Sequence, residues 1–190
     1  MTKKELRITY KEKRRAISSK DKLKLDDLML LQFQQLYFDE SVQTLLTYWP
    51  MANMNEPNMQ LYTSYLRHTV PGLQIAYPIA DFSTGCMDAL LINEDTVYHT
   101  NSYGITEPKE GIVVPANEID IVFVPLLVCD KEGFRVGYGK GFYDKYLSTC
   151  HEEAITIGFN YFEPIDKIED AHDFDVPLNY CITPERIYEF

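Results

Sequence analysis

The sequence has few of the residues that nucleophilic and metal chemistry draw on. It holds four cysteines, four histidines and one tryptophan in 190 residues. Cys86, Cys129, Cys150 and Cys181 form no C-x-x-C pair, and no histidine stands at zinc-finger spacing from them. This argues against a zinc site or a disulfide framework. A Cys/His protease would have only the scattered His68, His99, His151 and His172 to use. All four cysteines are expected to be reduced, with Cys129 and Cys181, in apolar runs, buried as small hydrophobes. No stretch approaches the roughly 20 apolar residues that cross a bilayer. The opening MTKKELRITYKEKRR has no apolar run behind its charges, so it does not read as a secretory signal. The expected location is the cytoplasm. Internal repeats and low-complexity tracts are absent.

Positive charge is also scarce, with 18 Lys and Arg against 29 Asp and Glu, a net charge of −11. Generic binding to nucleic acid by a basic surface is thereby disfavoured. The imbalance is uneven. Residues 1–24 hold ten basic residues against three acids, a net +7, while the rest of the chain carries −18. An acidic body with one basic end can hold an anion where the two meet. Otherwise the composition is that of one globular domain, 45% hydrophobic and 25% charged. A chain of this length buries roughly 70% of its unfolded surface without staples.

Residues 2–17 read as a helix with Leu6, Tyr10, Arg14 and Ile17 on one stripe. Ser18 or Ser19 can cap a second helix over 21–38, expected to be largely buried through Leu23, Leu25, Leu28, Leu31 and Phe33. Strands are expected at 42–49, 73–80, 87–92, 119–128, 154–159 and 178–183, with helices at 57–68 and 141–150. The run IDIVFVPLLV is apolar without alternation, which marks a strand buried on both faces of a parallel sheet. Pro125 should end or bulge it. The pattern predicts a three-layer α/β/α sandwich with a mostly parallel central sheet, one domain over 1–190, with the basic helix packed on it. Ligands in such sheets bind beyond the carboxyl ends of the strands. The segment to inspect is therefore the loop after 119–128.

That loop, DKEGFRVGYGKGFYD, places four glycines (133, 137, 139, 141) within nine residues and then opens a helix. Glycines let backbone N–H groups converge on an anion. Lys140 supplies a mobile cation, Arg135 a lateral clamp, and Asp144 a carboxylate able to hold a magnesium ion against phosphates. The spacing matches neither G-x-x-x-x-G-K-[ST] nor G-x-G-x-x-G. In physical terms this is a nucleotide-phosphate site; a Gly-rich surface turn is the alternative.

DKEGFRVGYGKGFYDKYL resembles the hallmark of the 5-formyltetrahydrofolate cyclo-ligase (methenyltetrahydrofolate synthetase) family. Five further segments resemble that family in order. They are Lys3-Lys4-Glu5-Leu6-Arg7; Tyr48-Trp49-Pro50 followed by Glu56; Tyr103 to Pro108; Asp120 to Leu126; and His172 to Thr183. Three departures stand out. Val136 replaces the usual Leu. Lys145 replaces the usual Arg and loses its bidentate fork. In HDFDVPLN, Asp173 and Asp175 compete for one metal position, with Asn179 where Asp is common.

The resemblance implies an enzyme that closes 5-formyltetrahydrofolate, with or without a polyglutamate tail, to 5,10-methenyltetrahydrofolate, using ATP and Mg²⁺ and releasing ADP and phosphate. It implies phosphorylation of the formyl oxygen, a chemistry that needs positioning and charge neutralisation more than a protein nucleophile. Catalytic roles fall to Lys140 and Arg135. ATP is expected on Lys3, Lys4, Arg7 and the run Arg135, Val136, Gly137, Tyr138, Gly139, Lys140, Gly141, Phe142 and Tyr143. The folate is expected on Met51, Glu56, Tyr138, Gly139, Lys140, Gly141 and Phe142, with Glu56 accepting from pterin N–H groups and Trp49 adding an apolar wall. Asp144 and Asp175 are the expected Mg²⁺ ligands. Tyr103 and Glu107 have no assigned role. No nucleic-acid or membrane partner is expected, and the chain should be a monomer or a weak homo-oligomer. A kinase on the same loop, or a non-catalytic nucleotide- or folate-binding regulator, would retain part of this set.

Overall fold

A computed structural model describes residues 1–190. Helix α1 (Lys3–Arg15) begins with a capping box in which Thr2 accepts from the Glu5 N–H and Glu5 reaches back to Thr2. Helix α2 (Ser19–Phe33) is capped by Ser18, which accepts from the Asp21 N–H. Next come β1 (Thr44–Leu46), α3 (Met59–Thr69), β2 (Gln74–Asp81) and β3 (Cys86–Leu91). Three short strands, β4 (Tyr98–Thr100), β5 (Thr106–Pro108) and β6 (Ile112–Val114), precede β7 (Ile121–Phe123). The chain ends with β8 (Val128–Cys129), β9 (Arg135–Val136), α4 (Phe142–Leu147), β10 (Ile155–Phe159), β11 (Tyr180–Ile182) and β12 (Ile187–Glu189).

Eight strands form one sheet in the order β12-β11-β10-β7-β1-β2-β3-β6. The five central strands pair in parallel, with Leu45 opposite Ile75 on one side and Ile121 on the other. The outer strands β12, β3 and β6 join antiparallel. Alternate residues face opposite layers. Leu45, Ile121 and Phe123 meet Met29 and Phe33 of α2 and Tyr62 and Leu66 of α3. Leu46 and Val122 meet Tyr146 and Leu147 of α4. This is the expected α/β architecture with helices on both faces.

Helix α1 lies off the sheet. Its Leu6 and Tyr10 pack on Leu127, Val128 and Val136 of the β8–β9 hairpin and on Ile168. Burying a side chain such as Leu6 stabilises by roughly 1.5–3 kcal/mol, so these contacts contribute to docking the helix.

Several expectations need correction. The run 119–128 is not one strand. β7 stops at Phe123, two residues before Pro125, and the chain re-forms as the β8–β9 hairpin. The buried stripe of α2 is not leucine-based, for Leu23 and Leu31 are exposed while Asp26, Met29 and Phe33 are buried. Asp26 tolerates burial because Lys22, the Tyr62 and Tyr161 hydroxyls and the Asn58 N–H all donate to it. The 141–150 helix is shorter, Phe142–Leu147, and the edge strands β6 and β12 were unforeseen. All four cysteines are free, and Cys129 and Cys181 are buried as expected.

Candidate active site

The sheet order reverses between β1 and β7: β2 lies on one side of β1, and β7 and β10 on the other. Beyond the carboxyl ends of these two strands opens a cleft of about 1150 Å³. This is the position the doubly wound topology favours for a ligand. One wall is α1, one is the loop from Gly137 to Tyr143, and the floor is the turn from Tyr48 to Glu56.

The loop is held from behind. Asp130 is fully buried and accepts from the Glu132 and Phe134 N–H groups through Oδ1 and from the Ile168 N–H through Oδ2. Gly139 has φ +93°, and an added Cβ would sit 3.2 Å from the Arg7 guanidinium. Only glycine satisfies both conditions. Arg7 donates from Nε to the Gly137 carbonyl at 2.9 Å, which joins α1 to the loop. Lys140 is exposed and forms no ion pair, and its Nζ lies 5.8 Å from the Tyr103 ring centre.

Arg135 is buried and does not reach freely into the cleft. Its guanidinium donates to Asp144 Oδ1 at 2.9 Å and to the Val176 carbonyl. Burial draws its pKa down, with Asp144 opposing. Asp144 Oδ1 also accepts from the Val176 N–H, while Oδ2 has no protein donor. Beside this cluster, next to Val176, both carboxylate oxygens of Asp175 face Lys3 Nζ, and Oδ2 also accepts from the His172 N–H at 2.8 Å.

Glu56 is buried at the floor. Its Oε2 accepts from the Met51 N–H at 2.6 Å and its Oε1 from the Tyr138 hydroxyl. Burial raises its pKa, and these two donors oppose the rise. The Tyr143 hydroxyl is buried with no protein partner. Burial raises its pKa, and the charge of Glu56 adds to the effect.

The cleft thus gathers Lys3, Lys4, Arg7, Met51, Glu56, Arg135, Gly137, Tyr138, Gly139, Lys140, Gly141, Phe142, Tyr143, Asp144 and Asp175, residues spread over 172 positions of sequence. Val136 does not line it; its side chain is fully buried against Leu6 and Tyr10. Sequence reasoning gave Tyr103 and Glu107 no role and left Phe82 unremarked, yet all three line the cleft. Tyr103 stacks on Phe82 with ring centres 3.8 Å apart, and Phe82 meets Phe142 edge-on at 5.0 Å. Glu107 is buried between His99 and the Ala80 N–H. The Tyr103–Pro108 motif was the available signal for two of them.

Fold and cleft together define an α/β protein of the switch-point type, with a glycine-rich loop facing a cationic helix. The profile of the 5-formyltetrahydrofolate cyclo-ligase family matches residues 1–184. The chain belongs to that family, and so among the ligases. The 5-formyltetrahydrofolate cyclo-ligase of Haemophilus influenzae is 41% identical over 88 residues, a match spanning 44% of this chain and 46% of that protein. Its Mycoplasma genitalium counterpart is 30% identical over 124 residues, 60% of this chain and 74% of that one. A solved 5,10-methenyltetrahydrofolate synthetase from Mycoplasma pneumoniae superposes with a TM-score of 0.76 at 25% identity, covering 97% of this chain and 99% of that one. A synthetase of the same name from Aquifex aeolicus, 22% identical, shares the fold at a TM-score of 0.80 over 100% of this chain and 93% of its own.

Proposed function

We propose that the protein closes 5-formyltetrahydrofolate to 5,10-methenyltetrahydrofolate in an ATP- and Mg²⁺-dependent reaction that releases ADP and phosphate. One observation carries the reading. A single cleft sets the α1 cations and the glycine loop on its walls and a buried glutamate at its floor. At about 1150 Å³ it exceeds the roughly 300–1,000 Å³ of a typical single-ligand pocket, which leaves room for two substrates.

The loop amides, Lys4 and Arg7 receive the triphosphate, and Lys140 meets the transferring phosphoryl group. The formyl oxygen attacks the γ-phosphorus, and the bond to the ADP oxygen breaks. The second folate nitrogen then attacks the activated carbon, loses its proton, and phosphate departs with the former formyl oxygen. The residues supply orientation and charge, as phosphoryl transfer requires. Glu56 accepts from pterin N–H groups and fixes the ring, with Met51 and Trp49 against its face.

Hard carboxylate oxygens at the cleft suit Mg²⁺, which takes one or two carboxylates and fills its shell with phosphate and water. Asp144 fits through its unpartnered Oδ2. Asp175 fits once Lys3 turns from it to phosphate. Bound Mg²⁺ would offset charge on the phosphates.

The test is near-ultraviolet absorbance of the methenyl product with 5-formyltetrahydrofolate, Mg²⁺ and ATP. An ATP-dependent rise is expected. Absence of a rise in protein shown separately to bind nucleotide would assign the loop to another acceptor.

A further inference from the structure

Arg14 is the largest fully buried side chain in the protein, and nothing in the proposed chemistry uses it. Its Nη2 donates to the Leu126 carbonyl and its Nη1 to the Tyr138 hydroxyl at 3.2 Å. The Tyr138 hydroxyl in turn donates to Glu56 Oε1. A guanidinium, a phenol and a carboxylate therefore stand in one line from the protein interior to the cleft floor. Arg14 Nε has no partner, and the other two guanidinium nitrogens meet a phenol and a backbone carbonyl rather than a carboxylate. The backbone repeats the connection. The Arg14 carbonyl accepts from Asn55 Nδ2 at 2.9 Å, and Asn55, at φ +52°, makes the left-handed turn that delivers Glu56.

The geometry points to Arg14 as a positioning residue for folate: through Tyr138 it favours the charged form of Glu56 and aims it into the cleft. The inference rests on Glu56 being the folate contact. A buried carboxylate is driven toward its neutral form unless charge or donors oppose this. The charged and titratable groups around Glu56 are Arg14 from α1, Lys22 from α2, Tyr48 beyond β1, Tyr138 and Tyr143 of the loop, and Tyr161 beyond β10. The four tyrosines are neutral, with phenol pKa values raised by burial. Arg14 and Lys22 are thus the only cations of the set, and Arg14 alone is linked to Glu56 by hydrogen bonds. A phenol that accepts from a cation also donates more strongly. Each Glu56 oxygen already has one protein donor and keeps a lone pair for the pterin.

The experiment follows turnover from acid to alkaline pH in wild type, Arg14→Met, Arg14→Lys and Tyr138→Phe, with separate KM values for 5-formyltetrahydrofolate and ATP. In Arg14→Met the folate KM should rise about tenfold at neutral pH and recover as pH increases, because Glu56 then ionises only in more alkaline solution. The ATP KM should stay within about twofold, a change of under about 0.5 kcal/mol. Arg14→Lys should restore part of the neutral-pH affinity by restoring charge. A folate KM that is unchanged, or raised equally at every pH, would overturn the inference and leave Arg14 as packing alone. If Arg14→Met does not fold, Tyr138→Phe decides, since it leaves Arg14 on the Leu126 carbonyl. The same recovery with rising pH is expected there, and a wild-type pH profile would overturn the inference. Failure of wild type to convert the folate at all would instead remove the proposed function on which this rests.

Discussion

Lys3 Nζ lies 2.6 Å from Asp175 Oδ1, closing an ion pair between residues 172 positions apart whose side chains are only 12% and 10% exposed. It bolts α1 to the segment before β11. Burial pushes the Asp175 carboxyl up, but the Lys3 ammonium and the His172 N–H outweigh it and hold the pKa below the usual value. A lowered carboxyl pKa contributes stability that is present above the unfolded-state value and is lost as pH falls through the folded one. Asp175→Asn should therefore destabilise at neutral pH by about 1–3 kcal/mol, under the roughly 3–5 of a wholly enclosed pair because Lys3 can turn to water. The gap between the urea midpoints of wild type and variant should close as pH falls into the acid range. A gap independent of pH would mean that the pair does not carry the effect.

The same residue bears on the proposed Mg²⁺ site. Asp175→Asn should raise the Mg²⁺ concentration needed for half-maximal turnover, and Asp173→Asn should not. Asp173 is exposed and accepts no hydrogen bond within the protein. Titration of activity with Mg²⁺ at saturating ATP separates the two, and equal shifts would count against Asp175.

Lys140→Ala should lower kcat by about 100-fold or more, the scale of losing one preorganised charge in a transition state. Its melting temperature should match wild type, because an exposed loop side chain without an ion pair contributes little to stability. Turnover near the wild-type rate would remove Lys140 from the phosphoryl step.

Gly139 and Gly141 both hold positive φ, yet replacing them should not be equivalent. An alanine at 141 meets open space, whereas one at 139 meets the Arg7 guanidinium. Both variants should lose about 1–2 kcal/mol to backbone strain. Gly139→Ala should raise the ATP KM further than Gly141→Ala does, because it also pushes Arg7 off the Gly137 carbonyl. Equal ATP KM values in both variants would show that Arg7 does not serve the nucleotide.

Much of this was legible because apolar density and glycine spacing are local signals. The run at 119–128 marked the sheet centre, and Pro125 marked where the strand had to fail. The glycines of 133–141 marked the loop that the cleft uses. What escaped was burial of charge, which sequence alone reads as exposure. Arg14 falls on the stripe of Leu6, Tyr10 and Ile17, but its charge gives no sign of full burial, and only the Leu126 carbonyl and Tyr138, 112 and 124 residues away, make that burial tolerable. Asp26 escaped in the same way, since its donors other than Lys22 come from α3, the turn before it and the segment after β10. The β4–β5 ladder escaped because three-residue strands are too short to show alternation.

The docking of α1 sets an order on the making of the molecule. This helix is synthesised before every element it binds. Leu127, Val136, Tyr138 and Asp175 all leave the ribosome long after Leu6, Tyr10 and Arg14 do. A lone helix of 13 residues is marginal in water, so the segment waits as a fluctuating, highly charged and soluble strand of chain. The α1 wall of the cleft is complete only when the segment around Asp175 has been made and α1 folds back onto it. Competence to bind is thus among the last properties that the growing chain acquires.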